Sequence, residues 1–131
     1  MPDKRKILVI DDDPVVLETM LLVLQHNGFE VKGAESAEDA LTKARFEPPD
    51  ILISDILLPG LNGIDAAIRL RKFLPHCRVL LISGDTSAME ALQNASAGGH
   101  VFEVLPKPTS PEVLLETLNR GHAREQDLFR G

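Results

Sequence analysis

The chain of 131 residues contains no tryptophan and no tyrosine, and phenylalanine at five positions supplies all of its large aromatic side chains. It has one cysteine, Cys77, so an intramolecular disulfide is excluded and a reducing compartment is expected. Its position near a strand start suits a small packed residue. No apolar run approaches the ~20 residues that span a bilayer. Lys4, Arg5 and Lys6 precede only a short apolar stretch that ends in three aspartates, which is not the form of a signal peptide. A cytoplasmic protein is therefore expected. Basic residues are also scarce: 14 Lys and Arg stand against 20 Asp and Glu, for a net charge of −6. No dense basic patch is present, so direct binding of nucleic acid, which needs clustered cations against phosphate, is disfavoured. The four histidines, His26, His76, His100 and His122, lack metal-ligand spacing.

What is present is enough for one packed domain. Hydrophobic residues make up 44% of the chain, and its length suits a single core in two or three layers. The expected organisation is one domain over 1–131, with its core at about 5–120 and a charged, flexible tail over 121–131.

Five short apolar runs alternate with five helical patterns. The first run, 6–10, is followed by Asp13 as N-cap and Pro14 at the first helical position. Val16, Met20, Val23 and Leu24 then recur at helical spacing, and Asn27-Gly28 ends that helix. A second strand is expected over 29–34, then a helix over 36–45 capped by Ser36 and stopped before Pro48-Pro49. A third strand at 51–54, a Pro59-Gly60 turn, a helix over about 63–73 and a fourth strand from about 78 to 83 follow. An alanine-rich helix is expected over 87–97 and a short fifth strand over 102–105. The last helix opens at Ser110-Pro111, with Leu114, Leu115 and Leu118 on one face.

Strict β-α alternation implies a parallel sheet with helices on both faces. Runs one, three and four are continuously apolar, as in central strands covered on both sides, whereas runs two and five are interrupted by Glu30, Lys32 and Glu103, as in edge strands. The pattern matches a flavodoxin-like α/β fold, a doubly wound (βα)5 five-stranded parallel sheet of order 2-1-3-4-5. Ligands of such sheets bind beyond the carboxyl ends of the strands, at the switch point between strands one and three.

The residues at those ends carry matched chemistry. Strand one ends in Asp11-Asp12-Asp13, strand three in Asp55 and strand four in Ser83, and strand five runs into Lys107. Converging carboxylates repel one another unless a cation sits among them, and hard oxygen ligands that leave room for water suit Mg²⁺. A carboxylate can attack phosphorus to give an acyl phosphate, Ser83 can donate to a phosphoryl oxygen, and Lys107 can balance its charge. Singly, each residue also has an ordinary structural reading: a helix cap, a turn, a strand-end hydroxyl, a surface lysine. Four such groups on successive strand ends are improbable as coincidence.

The segments Ile7-Leu8-Val9-Ile10-Asp11-Asp12-Asp13, Ile51-Leu52-Ile53-Ser54-Asp55 through Asn62-Gly63, Leu81-Ile82-Ser83-Gly84 and Leu105-Pro106-Lys107-Pro108 resemble, in order and spacing, the motifs of response regulator receiver domains, in a chemotaxis-regulator-like form. The resemblance covers about residues 5–120. It implies a two-component switch in which Asp55 is the phosphoacceptor and Asp12 ligates Mg²⁺ directly. Asp11 would act beside it, often through water, and the Leu57 backbone carbonyl would complete the protein ligands. Ser83 and Lys107 would bind the phosphoryl group, a cis Lys107–Pro108 bond would aim the lysine, and Gly84 would leave access. Implied partners are a sensor histidine kinase or histidine phosphotransfer protein, and a downstream target or an effector domain outside this sequence. A homodimer would use the face of the fourth expected helix, fifth strand and fifth helix. The chain would be a regulatory phosphoacceptor rather than an enzyme acting on other substrates.

Two departures stand out. The family places a switching aromatic three residues before the lysine, where this chain has Val104, with Phe102 the nearest aromatic. Leu57 and Asp85 match positions that govern how water reaches the acyl phosphate, and an apolar Leu57 cannot orient it, so slow self-dephosphorylation is expected. Two other readings exist. Asp11-x-Asp13 after an apolar strand also resembles haloacid-dehalogenase-type phosphatases, with Asp11 as nucleophile and Asp13 as general acid. That fold needs a further acidic motif on a later strand, where this chain has only a helix with Glu112 and Glu116, and it leaves Asp55 without a role. A receiver reduced to a protein-interaction module would lack a site residue, and none is missing.

Overall fold

The computed structural model describes residues 5–84, 98–99, 102–107 and 109–130, without the side chains of the last ten of these. In chain order the elements are β1 (Lys6–Ile10), α1 (Pro14–His26), β2 (Glu30–Ala34), α2 (Ala37–Phe46), β3 (Ile51–Asp55), α3 (Gly63–Phe73), β4 (Arg78–Ser83), β5 (Glu103–Pro106) and a last helix, here α4 (Pro111–Arg130). The helix expected over 87–97 lies outside the described residues.

All neighbouring strands pair in parallel, in the order β2-β1-β3-β4-β5. The doubly wound fold expected from the sequence is the fold observed. Its layers follow from strand alternation. Ile7 and Val9 of β1, Ile51 and Ile53 of β3, and Leu80 and Ile82 of β4 face α1 and α4, where they meet Leu17, Leu24, Leu114 and Leu118. Leu8, Ile10, Leu52, Val79 and Leu81 face the other way, onto α2 and α3 through Ala37, Ala40, Ala44, Ile64, Ala67 and Leu70. Burial of each large side chain in these clusters stabilises by roughly 1.5–3 kcal/mol. The three alanines at 37, 40 and 44 let α2 lie close to the sheet.

Two helix starts carry the caps expected from the sequence, at Asp13 and Ser36, and a third is capped by Asn62. Asp13 Oδ1 accepts from the amides of Val15 (2.9 Å) and Val16 (3.4 Å), Ser36 Oγ from Asp39 (3.1 Å), and Asn62 Oδ1 from Asp65 (2.8 Å). After α1, Gly28 adopts φ +93°, which lets the chain turn at once into β2. The last helix runs to Arg130, ten residues beyond the expected end of the core. Residues after Gly121 include Ala, Glu, Gln, Leu and two Arg, all good helix formers, and one interior glycine costs only ~1 kcal/mol.

At the end of the sheet away from the carboxyl termini of the strands, Arg78 ties three elements together. Its Nε and Nη2 donate to both carboxylate oxygens of Glu103 on β5 (2.6 and 3.0 Å), and its Nη1 and Nη2 donate to the carbonyls of Leu118 and Thr117 in α4 (both 2.8 Å). The planar guanidinium presents its donors in a fixed fork, which a lysine could not reproduce.

Candidate functional site

The two central strands β1 and β3 deliver their last residues to the same rim. Asp11 follows β1 directly, and its side chain is 5% exposed; Asp55 closes β3 at 7%; Asp12 is exposed. One oxygen from each of Asp11, Asp12 and Asp55 lies within 4.8 Å of the other two. The local chain explains their directions. Asp13 turns away to cap α1 and its own amide donates back to Asp11 Oδ1 (2.9 Å), which points Asp11 toward the rim. The Leu57 amide donates to Asp55 Oδ1 at 3.3 Å, and Lys107 Nζ donates to Asp55 Oδ2. Lys107 arrives there because β5 extends β4: its amide donates to the Ser83 carbonyl at 2.9 Å.

Charge and burial oppose each other at this rim. Burial raises the Asp11 carboxyl above its ordinary 3.8, against the amide of Asp13 and the charge of Lys107, and the charges of Asp55 and Asp12 add to the rise. Burial of the Lys107 ammonium acts downward, but the hydrogen bond and charge of Asp55, then the charges of Asp11 and Asp12, outweigh it and raise the lysine. Three acidic side chains and one ammonium leave a net negative pocket of hard oxygen donors, the donor chemistry that Mg²⁺ favours.

The remaining sequence-assigned positions fall as follows. Ser83, half-buried, ends β4 one residue past the Asp55–Ile82 pair. Leu57 is half exposed at the rim. A Cβ added to Gly84 would lie 3.1 Å from both Cβ and Cδ of Lys107, so the missing side chain gives the lysine stem its path. Pro108, with the expected cis bond, and Asp85 lie outside the described residues. Val104 is 39% exposed, opposite Leu81. Phe102 does not stand in for the switching aromatic beside the site. It precedes β5 at the end away from Lys107 and packs under the Arg71 guanidinium, 4.7 Å from its ring centre.

Sequence reading missed two contributors. Ser54 is fully buried in an apolar face, and Gly63 packs its Cα against the Asp55 carbonyl so tightly that an added Cβ would lie 2.2 Å from that oxygen. The available signals were slight: one hydroxyl ending the apolar run of β3, and a glycine opening a helix. On the neighbouring face, α1 and the start of α4 border an apolar groove of 250 Å³ lined by Val15, Val16, Met20, Val23, Pro111 and Leu114.

A profile of the response regulator receiver domain matches residues 7–119. The chain belongs to this family. Protein PilH of Pseudomonas aeruginosa is 32% identical over 114 residues, covering 87% of this chain and 94% of PilH. The probable transcriptional regulatory protein TcrX of Mycobacterium tuberculosis is 31% identical over 109 residues, 83% of this chain but 46% of TcrX. The transcriptional activator protein ExaE of Pseudomonas putida is similarly covered over 56% of its length, so the chain spans about half the length of several curated relatives it matches. Among solved structures, the chemotaxis protein CheY4 of Vibrio cholerae superposes with a TM-score of 0.80 at 31% identity, over 90% of this chain and 98% of CheY4. Receiver domains are generally regulatory, bind Mg²⁺ at an acidic pocket of this kind, and are phosphorylated by histidine kinases. The phosphatase and interaction-module readings are not favoured, and in this receiver domain Asp13 is spent on the α1 cap rather than poised as an acid.

Proposed function

We propose that this receiver domain accepts a phosphoryl group on Asp55 and signals through the resulting change at Ser83 and Lys107. The observation that carries the reading is the meeting of Lys107 and Asp55 inside the three-carboxylate cluster. Asp11 and Asp12, with Asp55 and the Leu57 backbone carbonyl, would hold Mg²⁺. When bound, that ion supplies positive charge beside the attacking carboxylate and the incoming phosphoryl oxygens. Asp55 presents its carboxylate, oriented by the Leu57 amide, to the phosphorus of a phosphohistidine. The new O–P bond forms as the N–P bond breaks, and the bond pair stays with the imidazole nitrogen. Lys107 then balances the acyl phosphate's charge and the Ser83 hydroxyl donates to one of its oxygens.

The donor is a sensor histidine kinase or a histidine phosphotransfer protein. The apolar groove between α1 and α4 supports this, because α1 begins two residues after Asp12 and α4 four residues after Lys107. A helical partner laid there would sit next to the acceptor. Output passes through the face assigned to the expected 87–97 helix, β5 and the last helix, to a protein target, a second copy of the chain, or an effector domain in a longer chain. The domain is not an enzyme toward other substrates in this reading.

The test is Mg²⁺-dependent labelling by acetyl phosphate, read by intact mass on wild type and Asp55→Asn. One phosphoryl mass on wild type alone is the expected result. Steady phosphate release that survives Asp55→Asn but disappears in Asp11→Asn would replace this reading with the phosphatase.

A further inference from the structure

Ser54 sits in β3 between Ile10 of β1 and Leu81 of β4, and its side chain is completely buried. Leu52 and Ile56, two residues to either side, belong to the apolar cluster against α2 and α3, so Ser54 places a hydroxyl on an apolar face. A buried hydroxyl is costly unless it is hydrogen-bonded. This one donates to the backbone carbonyl of Asp55 at 2.8 Å. The following carbonyl, of Ile56, accepts from the amide of Gly63 at 2.9 Å, while the Ile56 amide still donates to Ile82 of the sheet at 3.0 Å. Gly63 closes over the pair: a Cβ there would lie 2.2 Å from the Asp55 carbonyl oxygen and 2.8 Å from Ser54 Oγ. The peptides at 55 and 56 are thus fixed from below just before the chain leaves the sheet. The next residue is Leu57, whose amide holds the Asp55 carboxylate.

We propose that Ser54 is a positioning residue for phosphoryl transfer, its buried hydroxyl setting the direction of the backbone that carries both the Asp55 carboxylate and Leu57. The inference rests on the reading of Asp55 as acceptor. It assigns Ser54 no contact with the phosphoryl group or the ion. Removal of the hydroxyl leaves the Asp55 carbonyl without this donor under the α3 start, so the 55–57 segment can rotate and the two groups it carries lose their alignment.

The experiment compares wild type, Ser54→Ala, Ser54→Cys and Ile7→Val, the last a destabilising control in the opposite cluster. Three quantities are measured: Mg²⁺ affinity by calorimetry, the acetyl phosphate labelling rate at saturating Mg²⁺, and thermal stability. Expected is a labelling rate roughly tenfold lower in Ser54→Ala, the order of loss that a small misplacement of reacting groups produces, with weaker Mg²⁺ binding. Ser54→Cys, with a weak donor of similar size, should recover part of both, and should serve alone if the alanine variant does not fold. Ile7→Val should melt earlier yet label at the wild-type rate. If either Ser54 variant bound Mg²⁺ and labelled as wild type does, whatever its melting temperature, the positioning role would be wrong. A wild type that neither binds Mg²⁺ nor labels would overturn the acceptor reading itself, and Ser54's role with it.

Discussion

At Asp11 the fold opposes ionisation. The residue is buried beside two other carboxylates, and its raised pKa records that its charge is resisted in the fold. A carboxyl with a raised folded pKa adds stability below its unfolded value of 3.8 and loses that contribution as pH rises through the folded value. Asp11→Asn should therefore stabilise the protein at neutral pH in the absence of Mg²⁺, and abolish the stabilisation that added Mg²⁺ gives wild type. Urea titrations over a pH series check this, because the advantage of the variant should shrink toward pH 3.8. Cys77 is the opposite case, a buried thiol with no part in the site. Burial pushes it up to about 11, so the folded protein should resist iodoacetamide near pH 8, and rapid alkylation without unfolding would contradict its placement. At Leu57 the half-exposed apolar side chain can neither donate to nor accept from an attacking water. The acyl phosphate should outlast seconds once donor is removed, as timed by loss of the added mass.

At the scale of elements, the helix starts are where sequence and structure agree most closely, because a cap is a local bond between residues two or three apart. Asp13 and Ser36 act as expected from their types, and Asn62, not assigned from the sequence, caps α3 in the same way. Asn62→Ala should cost about 1 kcal/mol through the lost Asp65 amide bond, measured by denaturant unfolding. Gly63→Ala, one residue on, should cost well over ~3 kcal/mol or prevent folding, since its Cβ would overlap the Asp55 carbonyl. Nothing local distinguishes these neighbours: Gly63 depends on how near α3 comes to β3. Strand order was legible for a similar reason in reverse. Continuous apolar runs at β1, β3 and β4 need cover on both faces, and charged residues at β2 and β5 do not tolerate it. Arg78 was not legible, because its partners stand 25, 39 and 40 residues away and no periodicity links them.

For the whole molecule, parallel connection places every strand's carboxyl end on one rim, so acidic residues at 11, 12 and 55 and the lysine at 107 meet although the chain separates them widely. That convergence could be read from the alternation of elements alone. The departure at Val104 could be read only as a missing side chain, and the placement of Phe102 under Arg71 required the packed sheet. An ion that binds only the folded rim must stabilise the whole domain: at a hundredfold excess over its dissociation constant the gain should be about 2.7 kcal/mol, and a melting temperature indifferent to Mg²⁺ would contradict the site. Lys107 carries one more implication. The oxygen of Asp55 that it grips cannot at the same time begin a bond to phosphorus through that lone pair. The other lone pairs of the carboxylate stay open to phosphorus, so the ammonium that pairs with the reactant already stands beside the charge the product will carry. Lys107→Ala should therefore slow labelling by acetyl phosphate and shorten the life of what is made, both read by intact mass.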